Sequence, residues 1–191
     1  MYFPSNMNFQ YFFFDTYPGY LLQVIPLALI VGALYWIIKL RRDKKMPLRR
    51  KICSFLLVCY ITALAELVLA IKVIGALWYR IFYHMASGIV IRPFAWDINL
   101  VPDFFRHLDG ETIGNFVLFL PFGILYPLSK ENATLRRTVL VGFLFSLVIE
   151  ILQPFFGRAF DINDLILNTL GVIVSAGVLY LTKKLFSKKK N

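Results

Sequence analysis

Charged side chains are scarce in this sequence: they make up 17% of its residues, whereas 59% are hydrophobic. Soluble globular domains have about a quarter charged and about half apolar residues, so this composition predicts a membrane protein. The net charge of +10 does not indicate nucleic-acid binding, because the basic residues form short clusters between apolar runs rather than one accessible face. We therefore expect membrane lipids as partners and no nucleic acid.

Cysteine is rarer still. Cys53 and Cys59 lie six positions apart in one apolar run, which fits neither a metal-binding spacing nor a pair of extramembrane thiols. The first 18 residues lack the basic start and small-residue cleavage site of a signal peptide. They are crowded with aromatic residues instead, which is typical of a membrane–water interface. No cofactor motif is present, so we expect no cofactor.

Five segments approach the roughly 20 apolar residues that a helix needs to cross the hydrocarbon core. The predicted fold class is therefore all-α, a polytopic membrane bundle of about five transmembrane helices. The expected spans are residues 20–38, 52–71, 112–128, 138–155 and 164–181. Residues 1–51 then hold the aromatic segment, the first helix and a basic loop, residues 52–182 form the main membrane domain, and 183–191 form a basic tail.

The basic residues predict how the bundle sits in the membrane, because cytoplasmic loops carry an excess of lysine and arginine. Residues 39–51, residues 130–137 and the tail after 181 carry eight, three and five of them. Alternating five spans places all three segments on one side, with 16 of the 21 basic residues. We therefore expect the N-terminus outside and the C-terminus in the cytoplasm.

Residues 72–98 do not fit this alternation. They are apolar enough to lie on or dip into the outer leaflet, but Arg80, His84 and Arg92 argue against a sixth span. A sixth span would also reverse the charge bias of everything that follows. We expect this stretch to lie at the interface.

Polar side chains inside the predicted spans are few, and by the 1.5 Å rise per residue all fall in the outer halves. Charged and amide side chains in a span cost about 2–3 kcal/mol each, and they usually face the bundle interior and mark function. The inner halves hold no such side chain, so the sequence indicates one outward-facing site. The residues are Gln23, Glu66, Asn115, Glu150 and Asn168.

The segment between the fourth and fifth spans extends this set. Glu150 and Gln153 are three residues apart and so share one helix face. Gly157 allows the tight reversal that brings the two helices side by side.

The start of the fifth helix is polar along one face. Asp164, Asn168 and Gly171 repeat at spacings of four and three, which places them on the same side. Asp161 or Asn163 is positioned to cap this helix at its N-terminus.

A purely structural role is the alternative for several of these residues. Arg158 could pair with Asp161 at the lipid headgroups, and Asn115 and Asn168 could simply hold helices together through interhelical hydrogen bonds. Glu150 differs, because a carboxylate within a span needs a partner, a proton or a cation. Taken together, the residues favour an outward-facing polar pocket.

At these positions the sequence resembles the VanZ-like family of small bacterial membrane proteins. The family is named after an accessory protein of glycopeptide-resistance clusters that is associated with raised resistance to teicoplanin. The resemblance implies a multi-pass protein of the bacterial plasma membrane, a role at the cell envelope and teicoplanin-type antibiotic resistance, but no mechanism. It lies within residues 52–182 and is carried by Asn99-Leu100-Val101-Pro102, Asn115, Pro121, Gly123, Glu150, Gln153, Arg158, Asp161, Asp164, Asn168 and Gly171.

The first hypothesis is a binding protein whose outer site holds a lipid-linked envelope headgroup or a lipidated glycopeptide. Arg158 would contact phosphate or carboxylate, and the amides would bind sugar or amide groups. Aromatic residues around Trp78, Phe94 and Trp96 would cover the acyl boundary. The candidate binding residues are Asn99, Asn115, Glu150, Gln153, Arg158, Asp161, Asp164 and Asn168.

The alternative is a membrane-embedded hydrolase or transferase acting on a lipid-linked envelope substrate. Glu150 is the candidate catalytic acid or base, and Asp161 and Asp164 are the candidate ligands of a divalent cation. The sequence shows no Ser/His/Asp or Cys/His nucleophile arrangement, so the residues favour binding without a metal. A transporter ranks last, because the inner halves offer no continuous polar path. The oligomeric state is not predicted.

Overall fold

The computed structural model describes residues 8–85, 88, 94, 97–106 and 110–188, except for the side chains of Glu111 and Lys188. Within them lie five helical segments long and apolar enough to cross a membrane, so the predicted all-α polytopic bundle is confirmed. These segments run Tyr17–Leu40, Leu48–Tyr83, Thr112–Ser129, Leu135–Phe156 and Ile162–Ser187. Which terminus lies outside stays a prediction.

Seven α-helices and two short strands make up the described part of the chain. Helices α2, α3 and α6 are each extended by a turn of different helical geometry: π-helical at Trp36–Leu40 and Glu66–Ala70, and 3₁₀ at Gln153–Phe156. The elements in chain order are α1 (Phe9–Asp15), α2 (Tyr17–Tyr35), α3 (Leu48–Ala65), α4 (Ile71–Tyr83), β1 (Ile98–Asn99), α5 (Gly110–Ser129), α6 (Leu135–Leu152), β2 (Phe160–Asp161) and α7 (Ile162–Lys188).

Helices α5 and α7 pack closely because small residues stand where they touch. A Cβ at Gly171 would collide with the carbonyl oxygen of Phe116, and one at Gly123 would collide with the hydroxyl of Ser175. The core beside this pair is aromatic and aliphatic, with Phe119 and Phe122 almost fully buried. Close backbone approach through small residues is the usual way for helices to pack tightly in lipid.

The continuous helical segment Leu48–Tyr83 is 36 residues long, or roughly 54 Å at 1.5 Å per residue. That exceeds the roughly 30 Å of the hydrocarbon core, so only part of it spans. Ala70, with φ −118° and ψ 7°, interrupts the helical geometry one residue before the predicted end of this span. Helix α4 therefore starts as a separate element.

Helix α4 packs against α1 and α2 through aromatic side chains. Phe13 meets Trp78 and Phe82 edge to face, with ring centroids 5.8 and 5.4 Å apart. The Trp78 indole N–H donates to the carbonyl oxygen of Gln23 at 3.0 Å. The interfacial placement of residues 72–98 stays a prediction. Arg92 lies outside the described residues.

The two ends of the bundle differ in character. One end, here called the basic end, consists of the loop 41–47, the loop 130–134 and the end of α7. There Arg50 Nη1 pairs with Glu131 Oε2 at 3.1 Å and ties the start of α3 to the second of these loops. The opposite end, here called the polar end, holds the starts of α2, α5 and α7, the ends of α3 and α6, and both strands.

Candidate functional site

A two-residue parallel ladder forms the outermost layer of the polar end. Strand β1 pairs with β2 in the register Ile98 to Phe160 and Asn99 to Asp161. The Asn99 amide donates to both carboxylate oxygens of Asp161 at 3.3 Å, while its Oδ1 accepts from the Val101 N–H at 3.0 Å. Asn99 thus joins the segment before α5 to the start of α7.

Asn163 is the centre of this layer, and it is 7% exposed. Its Oδ1 accepts the backbone N–H groups of Asp103 (2.8 Å) and Phe104 (3.1 Å). Its Nδ2 donates to the Val101 carbonyl at 3.2 Å and to the carboxylates of Asp103 and Asp161 at 2.9 Å each. One side chain therefore satisfies groups on both partner segments.

Asp161 is the residue that caps α7, of the two that the sequence offered. Its Oδ1 accepts the Asn163 N–H at 2.8 Å, which is the hydrogen bond an N-cap side chain makes to the first turn. The Asp161 N–H in turn donates to Glu150 Oε2 at 3.3 Å. The cap of α7 is therefore linked directly to the carboxylate at the end of α6.

Glu150 lies beneath this layer and is 1% exposed, as is Gln153. With its NH₂ turned towards them, the Gln153 amide donates to Glu150 Oε2 at 2.8 Å and to the Ala159 carbonyl at 3.2 Å. Gly157 makes the reversal that follows, with φ 77°, a left-handed conformation that glycine adopts without strain. The predicted shared face of Glu150 and Gln153 and the predicted glycine turn are both present.

The inner polar face of α7 contacts both neighbouring helices. Asp164 Oδ1 accepts from the Asn115 amide of α5. Asn168, one turn further along, donates to Ser146 Oγ of α6 at 2.9 Å. Gly171 then brings α5 into backbone contact. The face predicted from the spacing of four and three is therefore directed into the bundle.

The electrostatic environment of Glu150 is mixed. Asp164, Arg158 and Asp161 are all close enough to act on its carboxylate. Arg158 is half-buried, and its backbone N–H donates to the Gln153 carbonyl at 3.1 Å. The structure therefore brings together around Glu150 the candidate residues Asn99, Asn115, Gln153, Arg158, Asp161 and Asp164, with Asn168 one turn below.

The polar residues within the spans are all buried, as membrane burial requires. Their exposed fractions are 2% for Gln23, 6% for Glu66, 8% for Asn115, 1% for Glu150 and 4% for Asn168. In the described part of the chain, every buried polar side-chain atom that lacks a hydrogen-bond partner is a carboxylate or amide oxygen. Such an oxygen accepts hydrogen bonds and does not donate them. These atoms are Gln23 Oε1, both oxygens of Glu66, Glu150 Oε1 and Asn168 Oδ1.

The candidate cation ligands are arranged differently from a metal site. Asp161 accepts hydrogen bonds from the amides of Asn99 and Asn163, and Asp164 accepts from Asn115. Among the residues that the structure describes, no three His, Cys, Asp or Glu side chains converge as a ligand set. The geometry gives no support to the cation-dependent enzyme.

Some site residues were not assigned a site role by sequence reasoning. The sequence predicts Asn163 only as a helix cap and indicates no role for Ser146. Glu66 begins a π-helical turn that packs against the 3₁₀ turn of Gln153, and such turns occur frequently at functional sites. The run Asp161-Ile-Asn163-Asp164 was the available signal for Asn163.

The aromatic residues expected around the site are divided. Trp78 belongs to the cluster between α1, α2 and α4 rather than to the surroundings of Glu150. Phe94 packs against Phe155 with ring centroids 5.9 Å apart, which places it beside the 3₁₀ turn. Trp96 lies outside the described residues.

These features define a polytopic helical membrane protein with a network of buried carboxylates and amides at one end of its bundle. The VanZ/LLP1 family model matches residues 57–183, and the chain belongs to that family. The match contains all eight candidate binding residues. The family membership expected from the sequence motif is confirmed.

A curated relative supports the same assignment. Over 127 residues the chain is 32% identical to Protein VanZ of Enterococcus faecium, an alignment that covers 64% of this chain and 77% of that protein. No solved structure matches the chain significantly.

Proposed function

We propose that this protein is a cell-membrane protein of the bacterial envelope whose polar end faces outward and binds the headgroup of a lipid-tailed ligand. The ligand class is either a lipid-linked envelope component or a lipidated glycopeptide, and binding confers resistance of the teicoplanin type. The observation that carries the proposal is the unpartnered oxygen of Glu150, buried at the end of α6 beside Arg158.

The unpartnered oxygens support a ligand rich in hydrogen-bond donors. A buried acceptor without a partner costs about 1–3 kcal/mol, and Glu150 Oε1 and Asn168 Oδ1 are two such atoms at one site. Hydroxyl, ammonium or amide N–H groups of a sugar or peptide headgroup would satisfy them. Arg158 would complement a phosphate or carboxylate on the same headgroup.

The surface around the site supports a lipid tail. Val148, Ile151 and Phe155 lie within about one and a half turns of Glu150, and they are 53, 52 and 44% exposed. These apolar side chains would face acyl chains in a membrane, because apolar side chains exposed on a spanning helix face lipid rather than water. A ligand with its headgroup at Glu150 would therefore find an apolar path for its tail along α6.

The test is expression of the full chain and its variants in a Gram-positive host, with the minimum inhibitory concentration measured for teicoplanin and for a glycopeptide without a lipid tail. We expect increased resistance to teicoplanin only, lost in Glu150→Gln and in Arg158→Ala. The matched controls, Glu131→Gln and Arg136→Ala at the basic end, should retain it. Membrane abundance of every variant is measured in parallel.

The outcomes separate the two ligand sources. Binding of purified protein to labelled teicoplanin, abolished in Glu150→Gln, would assign the antibiotic itself. Binding only to lipid-linked precursor from membrane extracts would assign the envelope component. Unchanged susceptibility to both antibiotics would remove the resistance proposal. Variants that disappear from the membrane would favour a purely structural role for Glu150.

A further inference from the structure

A cleft that combines aromatic and polar side chains lies at the polar end, between α1, α2 and α4. Its volume is about 560 Å³, within the range of ligand-binding pockets. Helices α1 and α2 precede residue 57, so half of the residues that line the cleft lie outside the part of the chain that the family model matches. Its wall contains Asp15, Tyr20, Gln23, Lys72 and Tyr79, with Phe14.

Gln23 is the buried polar group of this cleft. Its Nε2 donates to the Phe13 carbonyl at 2.5 Å, and its own backbone carbonyl accepts from the Trp78 indole at 3.0 Å. The first bond holds the side-chain amide and the second holds the backbone of Gln23, and Oε1 stays buried without a partner among the described residues. An amide oxygen is an acceptor only, so a ligand that satisfies it must present an N–H or O–H.

Two opposite charges face the same cleft from different helices. Asp15 ends α1 and Lys72 lies in the first turn of α4, and both side chains are exposed. Both residues belong to the described part of the chain, and no salt bridge within 4 Å joins the Lys72 ammonium to the Asp15 carboxylate. A separated anion and cation at one cleft complement a ligand that carries a cation and an anion of its own.

We propose that this cleft binds the headgroup of an ethanolamine-type zwitterionic phospholipid. Lys72 contacts the phosphate, and the primary ammonium donates to Gln23 Oε1 and Asp15. The rings of Phe14 and Tyr79, with centroids 5.5 Å apart, give the ammonium an aromatic wall. A choline headgroup has the same charges but no N–H, so it cannot satisfy Gln23.

The test uses the purified full chain with equimolar ethanolamine, choline and glycerol phospholipids of identical acyl chains. Native mass spectrometry measures which lipid is retained. We expect about tenfold preference for the ethanolamine lipid over the choline lipid, the size of one charge-assisted hydrogen bond. Asp15→Asn and Lys72→Gln should each reduce retention about tenfold. Asp43→Asn and Lys44→Gln, the same changes at the basic end, should not.

Three results would overturn the proposal. Equal retention of choline and ethanolamine lipids would show that no N–H is recognised. Preferred retention of the glycerol lipid, unchanged in the Asp15→Asn variant, would show that the cleft binds only the anionic phosphate through Lys72. Displacement of the lipid by soluble glycerophosphoethanolamine at the same concentration would show that the ligand is not a membrane lipid. Because Asp15 and Lys72 are exposed, we expect their variants to fold.

Discussion

Truncation of Asn163 to alanine should release residues 97–104 from the start of α7. The side chain makes four hydrogen bonds to that segment: its Oδ1 accepts from the N–H groups of Asp103 and Phe104, and its Nδ2 donates to the Val101 carbonyl and the Asp103 carboxylate. No other described side chain makes as many bonds between these two segments. The change therefore removes most of what fixes the segment locally.

The magnitude follows from those four bonds. Each intramolecular hydrogen bond contributes about 0.5–1 kcal/mol when the groups remain partly accessible to water, which gives about 2–4 kcal/mol for the set. Because about 1.4 kcal/mol corresponds to a factor of ten, amides of the segment should exchange about 30- to 700-fold faster when exchange proceeds through local opening. The spanning helices should keep their protection.

Hydrogen–deuterium exchange followed by mass spectrometry on the full chain in detergent measures this directly, through peptides that cover residues 97–106. Asn132→Ala removes the same side chain from an exposed position in the loop 130–134 and should leave exchange unchanged. Asn163→Asp keeps the acceptor but places a carboxylate beside Asp103 and Asp161, so it should accelerate exchange at least as much as alanine. Unchanged exchange in Asn163→Ala would refute the assignment of Asn163 as the connecting residue.

Three further predictions concern packing, pairing and orientation. Gly171→Ala should destabilise the protein in thermal unfolding by about 1–3 kcal/mol, because the added Cβ meets the Phe116 carbonyl. The control Gly177→Ala, which has open space around it, should be neutral or up to about 1 kcal/mol stabilising. Equal effects of the two changes would contradict the packing argument. A double-mutant cycle of Asn168→Ala and Ser146→Ala should give a coupling of about 0.6–2 kcal/mol, and additive effects would show that the 2.9 Å bond contributes nothing. A reporter enzyme that works only in the cytoplasm should be active when it is fused after residue 191. Activity there of a reporter that works only outside the cytoplasm would reverse the proposed orientation.

The bundle could be predicted from the sequence because each spanning helix corresponds to one continuous apolar run. The polar helix faces could be predicted too, since Glu150 lies one turn from Gln153, and Asp164 lies one turn from Asn168. The β1–β2 ladder was not, because two-residue strands carry no alternation pattern and their pairing joins Asn99 to a residue 62 positions away. For the same reason Asn163 was assigned only a local capping role.

The hydrogen bonding separates the candidate residues into two groups. Asn99, Asp161 and Asn163 largely satisfy one another and the backbone, so their role is to hold the outer layer on α7. Glu150 and Asn168 each retain a buried oxygen without a partner, which is a cost that folding alone does not explain. If the site binds a ligand, variants of the first group should lower stability and function together. The Glu150→Gln variant should lower function with little change in stability, because its amide oxygen can still accept from the Asp161 N–H and the Gln153 amide.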